Sequence, residues 1–194
     1  MKGAVLPVLA FAVLASCASI SREECLQGDW AAIGLRDGAA GERADAQFDR
    51  HVRQCAKVDV TPQRSEWQRG YDQGLQRFCT PLSGLSEGQG GRINRNLCPA
   101  ALAAGFDQGH ALGLREHAQR VRIQSILNEM SGLRERNHVI VAALAATDNA
   151  GLRAELHNNQ SELLRLQLDL GFERAALSRV EREVRAFRAQ FSAG

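Results

Sequence analysis

The sequence predicts a mostly α protein: a small disulfide-stapled helical head followed by a long antiparallel, coiled-coil-like helical hairpin. Three observations predict it. Seam positions recur at alternating steps of three and four from Ile123 to Leu144 and again from Leu152 to Phe191, separated by Thr147-Asp148-Asn149-Ala150-Gly151. Residues 100–191 contain neither proline nor cysteine. The preceding segment holds Cys25, Cys55, Cys79 and Cys98, both tryptophans and most of the glycines, and no alternating strand pattern. The expected organisation is therefore a signal segment over 1–16, a Gly/Cys-rich head over 17–99 and a hairpin over 100–194.

The first segment has the layout of a secretory signal: Lys2, an apolar run from Ala4 to Leu14 broken only by Pro7, then the small residues Ala15 and Ser16. The run is too short for a bilayer span, which needs ~20 residues. Leu14-Ala15-Ser16-Cys17 resembles a bacterial lipobox, in which the cysteine receives lipid and the signal peptidase cuts before it. Acyl chains such as palmitate on Cys17 would tether the protein to a membrane. Ala18, rather than Asp, follows the cysteine, which points to the outer membrane facing the periplasm.

In an exported chain, four remaining cysteines read as two disulfides. Of the three connectivities, Cys25–Cys55 with Cys79–Cys98 closes the shortest loops. A metal site of four thiolates is disfavoured, because no two of these cysteines form a CxxC pair. No cofactor or metal is expected. A formal charge of only +2 gives no basic field, so no nucleic-acid partner is expected either.

Within the head, Asp29 is placed to cap a helix over 30–36. Glu42 to Cys55 reads as a second helix, with Phe48, Val52 and Cys55 on one stripe. Pro62 precedes a third over 63–78. Thr80 to Asn96, with Pro81, Gly84, Gly88, Gly90 and Gly91, has the composition of a loop. A weak repeat relates Gly70-Tyr71-Asp72-Gln73-Gly74 to Gly105-Phe106-Asp107-Gln108-Gly109, with a looser echo at Gly34 and Gly38. Glycines four apart share a helix face and admit a close neighbour.

The succession Asp29-Trp30, Gly34, Asp37-Gly38, Gly41, Cys55, Trp67-x2-Gly70-x3-Gly74, Cys79, Gly84, Gly91 and Cys98 after a lipobox resembles a bacterial lipoprotein family named domain of unknown function 2799. The resemblance spans residues 25–113. It implies a small exported lipoprotein and no known activity or catalytic residues. The helical tail after Gly113 lies outside it.

Folding the tail about its polar break pairs Leu144 with Leu152, Ile140 with Leu156, Leu133 with Leu163, Met130 with Leu166 and Ile126 with Leu170. One polar layer brings Asn137 against Asn159, where a buried amide pair sets the register. The same register carries Gly109 to Phe187 and Gly105 to Phe191. Glu116, Gln119 and Glu173 then fall on the seam, so a stutter onto Ala118 and Val121 is expected there.

Reactive chemistry is sparse. His51, His110, His117, His138 and His157 form no metal motif and read as surface histidines. No nucleophile sits in a recognisable catalytic context, so no enzymatic activity is expected. The expected partners are the membrane, through lipid on Cys17, and an envelope protein or peptidoglycan. The alternative is a module that holds a small ligand or peptidoglycan fragment on Trp30, Trp67 and Tyr71.

Overall fold

A computed structural model describes residues 20–192, so Cys17 and the segment before it lie outside the described residues. Seven α-helices and no strand occur among them: α1 (Arg22–Gln27), α2 (Trp30–Ala39), α3 (Ala44–Cys55), α4 (Arg64–Phe78), α5 (Pro81–Gln89), α6 (Ala100–Ala146) and α7 (Ala150–Ser192). Two compact units divide the chain, Met1–Gly74 and Leu75–Gly194. The division falls inside α4, ahead of the change in composition near residue 100.

In the first unit, α1 opens with a reciprocal capping box between Ser21 and Glu24. The Asp29 carboxylate accepts from the Ala32 N–H at 3.0 Å and starts α2. The Cys25–Cys55 disulfide ties α1 to the end of α3. Trp30, Ile33, Phe48, Trp67 and Tyr71 are buried. Val52 is not part of that stripe, being 38% exposed. Gln47 and His51 take the inward positions beside Phe48 and Cys55 instead.

In the second unit, the first half of the expected loop, Pro81–Gln89, is a helix, and the chain is irregular only from Gly90 on. Thr80 caps α5 by accepting from the Ser83 N–H, and Pro81 occupies the first turn, where its missing N–H costs nothing. Gly84 and Gly88 face α6, and a methyl group on either would collide with the Phe106 or His110 carbonyl. Tertiary contact thus stabilises a helix whose glycines lower its intrinsic propensity. The Cys79–Cys98 disulfide joins the residues that precede α5 and α6.

The two units contain the same motif. On α2 and α4, Gly34 meets the Trp67 carbonyl, Gly70 meets that of Ala31, and Gly74 meets that of Leu35. On α5 and α6, Gly84 meets Phe106, Gly109 meets Pro81, and Gly113 meets Leu85 in the same way. The correspondence runs through the loop: Gly41 and Gly91 have φ of +66° and +68°. The Glu42 N–H donates to the Asp37 carbonyl as the Arg92 N–H donates to that of Glu87. Tyr71 Oη donates to the Glu42 carbonyl at 2.5 Å, and His110 Nε2 takes its place at 2.7 Å from the Arg92 carbonyl. Trp67-Gly70-Gly74 therefore corresponds to Phe106-Gly109-Gly113, one helical turn later than the sequence repeat implies.

This alignment corrects the expected partners of two glycines. Gly109 lies against the α5 backbone and Gly105 against the Pro81 ring, not beneath Phe187 and Phe191. Helix α5 occupies the face assigned to those rings. Phe187 instead packs with Leu85, Leu112, Val184 and Phe191.

Beyond α5, α6 and α7 form the hairpin. At ~1.5 Å per residue their 47 and 43 residues extend about 70 Å and 65 Å. Met130, Leu166 and Leu170 make a buried cluster flanked by Ile123, Ile126, Leu133 and Leu163. Asn159 Nδ2 donates to Asn137 Oδ1 at 2.9 Å. The expected stutter is absent. Val121 is 53% exposed and Ala118 is exposed, while Glu116 and Gln119 stay inside. They remain because each is bonded: Gln119 donates to Glu173, and Glu116 accepts from Gln89 at 2.6 Å and from Arg120 at 2.6 Å.

Candidate functional site

A fully buried polar cluster lies within the first unit. Asp37, on α2, is 2% exposed. Its Oδ2 accepts from Trp67 Nε1 at 2.8 Å and lies 2.7 Å from His51 Nε2; its Oδ1 accepts from Gln47 Nε2 at 3.1 Å. A carboxylate accepts only, so Nε2 of His51 carries the hydrogen of that bond. Gln47 Oε1 and His51 Nδ1 are buried without a hydrogen-bond partner. Three helices thus converge on one carboxylate, α2 supplying the acceptor and α3 and α4 the donors. Trp67 also stacks on Tyr71 with ring centroids 4.9 Å apart. Burial, the leading influence, pushes the Tyr71 phenol above its ordinary value, with Asp72 and Asp37 adding to the effect.

An Asp–His pair resembles part of a catalytic relay, but here His51 is only 1% exposed. What this arrangement does is orient the three helices. His51 is therefore not the surface histidine expected, and His110 is buried too. The sequence signal was present: Gln47, Phe48, His51 and Cys55 have helical spacing, with two polar residues on the inward side.

Among the described residues of the second unit there is no equivalent cluster. Glu87 stands where the first unit has Asp37, and it binds Arg92 at 2.7 Å near the surface. Its base is polar in another way. Burial alone would raise the Glu116 carboxyl, but the Gln89 amide and the Arg120 guanidinium hold it below the ordinary carboxylate value. Arg120 also reaches Glu181 at 3.0 Å, and Arg115 reaches Glu183 at 2.5 Å, pinning α7 to α6. A shallow cavity of about 380 Å³ is lined here by Gln89, Glu116, Arg120, Glu181, Arg185 and Arg188, among others.

The residues singled out by sequence fall as follows. Cys25 bonds Cys55 and Cys79 bonds Cys98. Asn137 and Asn159 share one layer. Trp30, Trp67 and Tyr71 are core residues rather than the walls of an open pocket. Cys17 lies outside the described residues. Among the described residues no group of three or more His, Cys, Asp or Glu is placed to hold a metal, and no helix is long and apolar enough to cross a membrane.

Among the described residues each unit is thus built on a glycine-packed helix pair with its own disulfide, and the second continues into a helical hairpin. Residues 29–115 match the family described as Protein of unknown function (DUF2799). The match starts at the cap of α2 and ends two residues past Gly113, so it encloses both glycine-packed pairs and stops where the hairpin continues alone. No curated protein and no solved structure matches the chain.

Proposed function

We propose that this protein is a periplasmic lipoprotein, anchored in the outer membrane through lipid on Cys17, that acts by structural or protein–protein interaction rather than by catalysis. The hairpin serves as its spacer or docking arm. Leu14-Ala15-Ser16-Cys17 supports the anchor. The observation that carries the interaction reading is how the polar groups are used. The Asp37 cluster and the three core rings are buried and turned inward, whereas α6 and α7 expose most of their length. A module holding a small ligand or peptidoglycan fragment needs its aromatic rings open to a pocket, and here they are core.

The test combines acyl labelling with crosslinking in the native envelope. Labelled palmitate should enter the natural chain and not Cys17→Ala. Photo-crosslinkers at exposed hairpin positions should capture a defined envelope partner in the natural chain. Label on Cys17→Ala would remove the anchor. Capture from no hairpin position, together with saturable binding of a peptidoglycan fragment, would replace the interaction reading with the ligand-binding one.

A further inference from the structure

Helix α7 carries six acids and seven arginines, and the two are used differently. All six acids have partners within the protein. Glu155, Glu173, Glu181 and Glu183 bind Arg136, Gln119, Arg120 and Arg115 of α6. Glu162 and Asp169 bind Arg165. By contrast, the guanidinium groups of Arg174, Arg179, Arg182 and Arg185 make no hydrogen bond or ion pair among the described residues, and these residues are exposed.

The free arginines have apolar neighbours. Leu164, Leu168 and Phe172 are 66%, 68% and 73% exposed. At 3.6 residues per turn, positions 164, 168, 172, 175, 179, 182 and 186 fall on one side of α7. That side is opposite the seam formed by Leu166, Leu170, Val184 and Phe187. No carboxylate occupies these positions, and Glu183, beside them, is tied to Arg115. The result is a second amphipathic face: large apolar residues in mid-helix, then the unpaired Arg179 and Arg182.

We propose that the outward face of α7 docks on a bilayer surface carrying anionic headgroups. Arginine beside exposed Leu and Phe on a helix fits the interfacial position, where the rings enter the headgroup boundary and the cations meet lipid phosphate. A second copy of this chain fits less well. Apposing two such faces through Leu168 brings arginines against a surface without carboxylates. The proposal builds on the lipid-anchor reading by giving the tethered protein a second membrane contact, but it does not require the lipid.

The experiment uses residues 18–194, which keep every described residue and lack the lipidated cysteine. Flotation with phosphatidylglycerol/phosphatidylcholine vesicles should recover the protein, and with phosphatidylcholine alone should not. Raising the salt should weaken recovery. The double variant Arg179→Gln, Arg182→Gln should lower the vesicle affinity about thirty-fold. Replacing Leu164, Leu168 and Phe172 with Ser should also lower it, with helix content and melting unchanged in both. No flotation with anionic vesicles, or flotation indifferent to either variant, would overturn the proposal. So would concentration-dependent dimers that only the Leu164, Leu168 and Phe172 variant dissolves. Because this protein carries no lipid, such a failure leaves acyl labelling of Cys17 untouched, and failed labelling leaves the vesicle result standing.

Discussion

Asp37 shows how one buried acid can organise a unit. Its two oxygens take donors from Gln47, His51 and Trp67, residues up to 30 positions away in sequence. Removing the acceptor strands all three donors, and each unpaired buried group costs about 1–3 kcal/mol. Asp37→Ala is therefore expected to destabilise the first unit by roughly 3 kcal/mol or more, read from the denaturant midpoint of tryptophan fluorescence. A shift under about 1 kcal/mol would show that the cluster does not hold the unit together. Part of this was legible in the chain, since His51 stands on the stripe of Phe48 and Cys55. The convergence on Asp37 was not legible, because which acid meets which donor depends on how three helices cross. Exposed Val52 makes the same point: apolar character favoured it over His51 until hydrogen bonds inverted the preference.

At the scale of the element, hydrophobic spacing specified the hairpin and even its register. Asn137 meets Asn159, and every other paired position around them is apolar. Replacing both asparagines with Leu should raise stability, because a packed apolar layer outcompetes a buried amide pair. Either single replacement should do worse than the double one, since it leaves an amide without its partner. A double-mutant cycle on denaturant midpoints checks this, and additive effects would mean that the two positions do not touch. The register cannot be extended to the base of the hairpin, because there α6 has a third neighbour. Helix α5 covers the face of Gly109 and Gly113, so the seam accepts Glu116, Gln119 and Glu173 as a bonded polar layer. Composition read α5 as a loop, since glycine counts against a helix until a neighbouring backbone makes its small size useful.

At the scale of the whole molecule, two compact units each carry one disulfide. Both tryptophans lie in the first unit, whereas α6 and α7 supply most of the helix. Fluorescence and far-UV circular dichroism therefore follow different parts of the protein. Replacing Cys79 and Cys98 with Ser opens a loop spanning 19 positions, for which chain entropy predicts a loss of about 3 kcal/mol. The dichroism transition should move to lower denaturant while the fluorescence transition stays in place. Equal movement of both would show that the two units unfold as one.

Sequence alone determined the helical class, the pairing Cys25–Cys55 and Cys79–Cys98, the turn near Asn149 and the layer of Asn137 with Asn159. Each rests on local period, on the shortest loops between cysteines, or on a pattern that only one register satisfies. Tertiary structure decided the rest. It made a helix of Pro81–Gln89, buried His51 on Asp37, and aligned Gly70 with Gly109 rather than Gly105. These outcomes depend on the close approach of two backbones, and a glycine looks the same in a sequence whether it loosens a loop or admits a neighbouring helix.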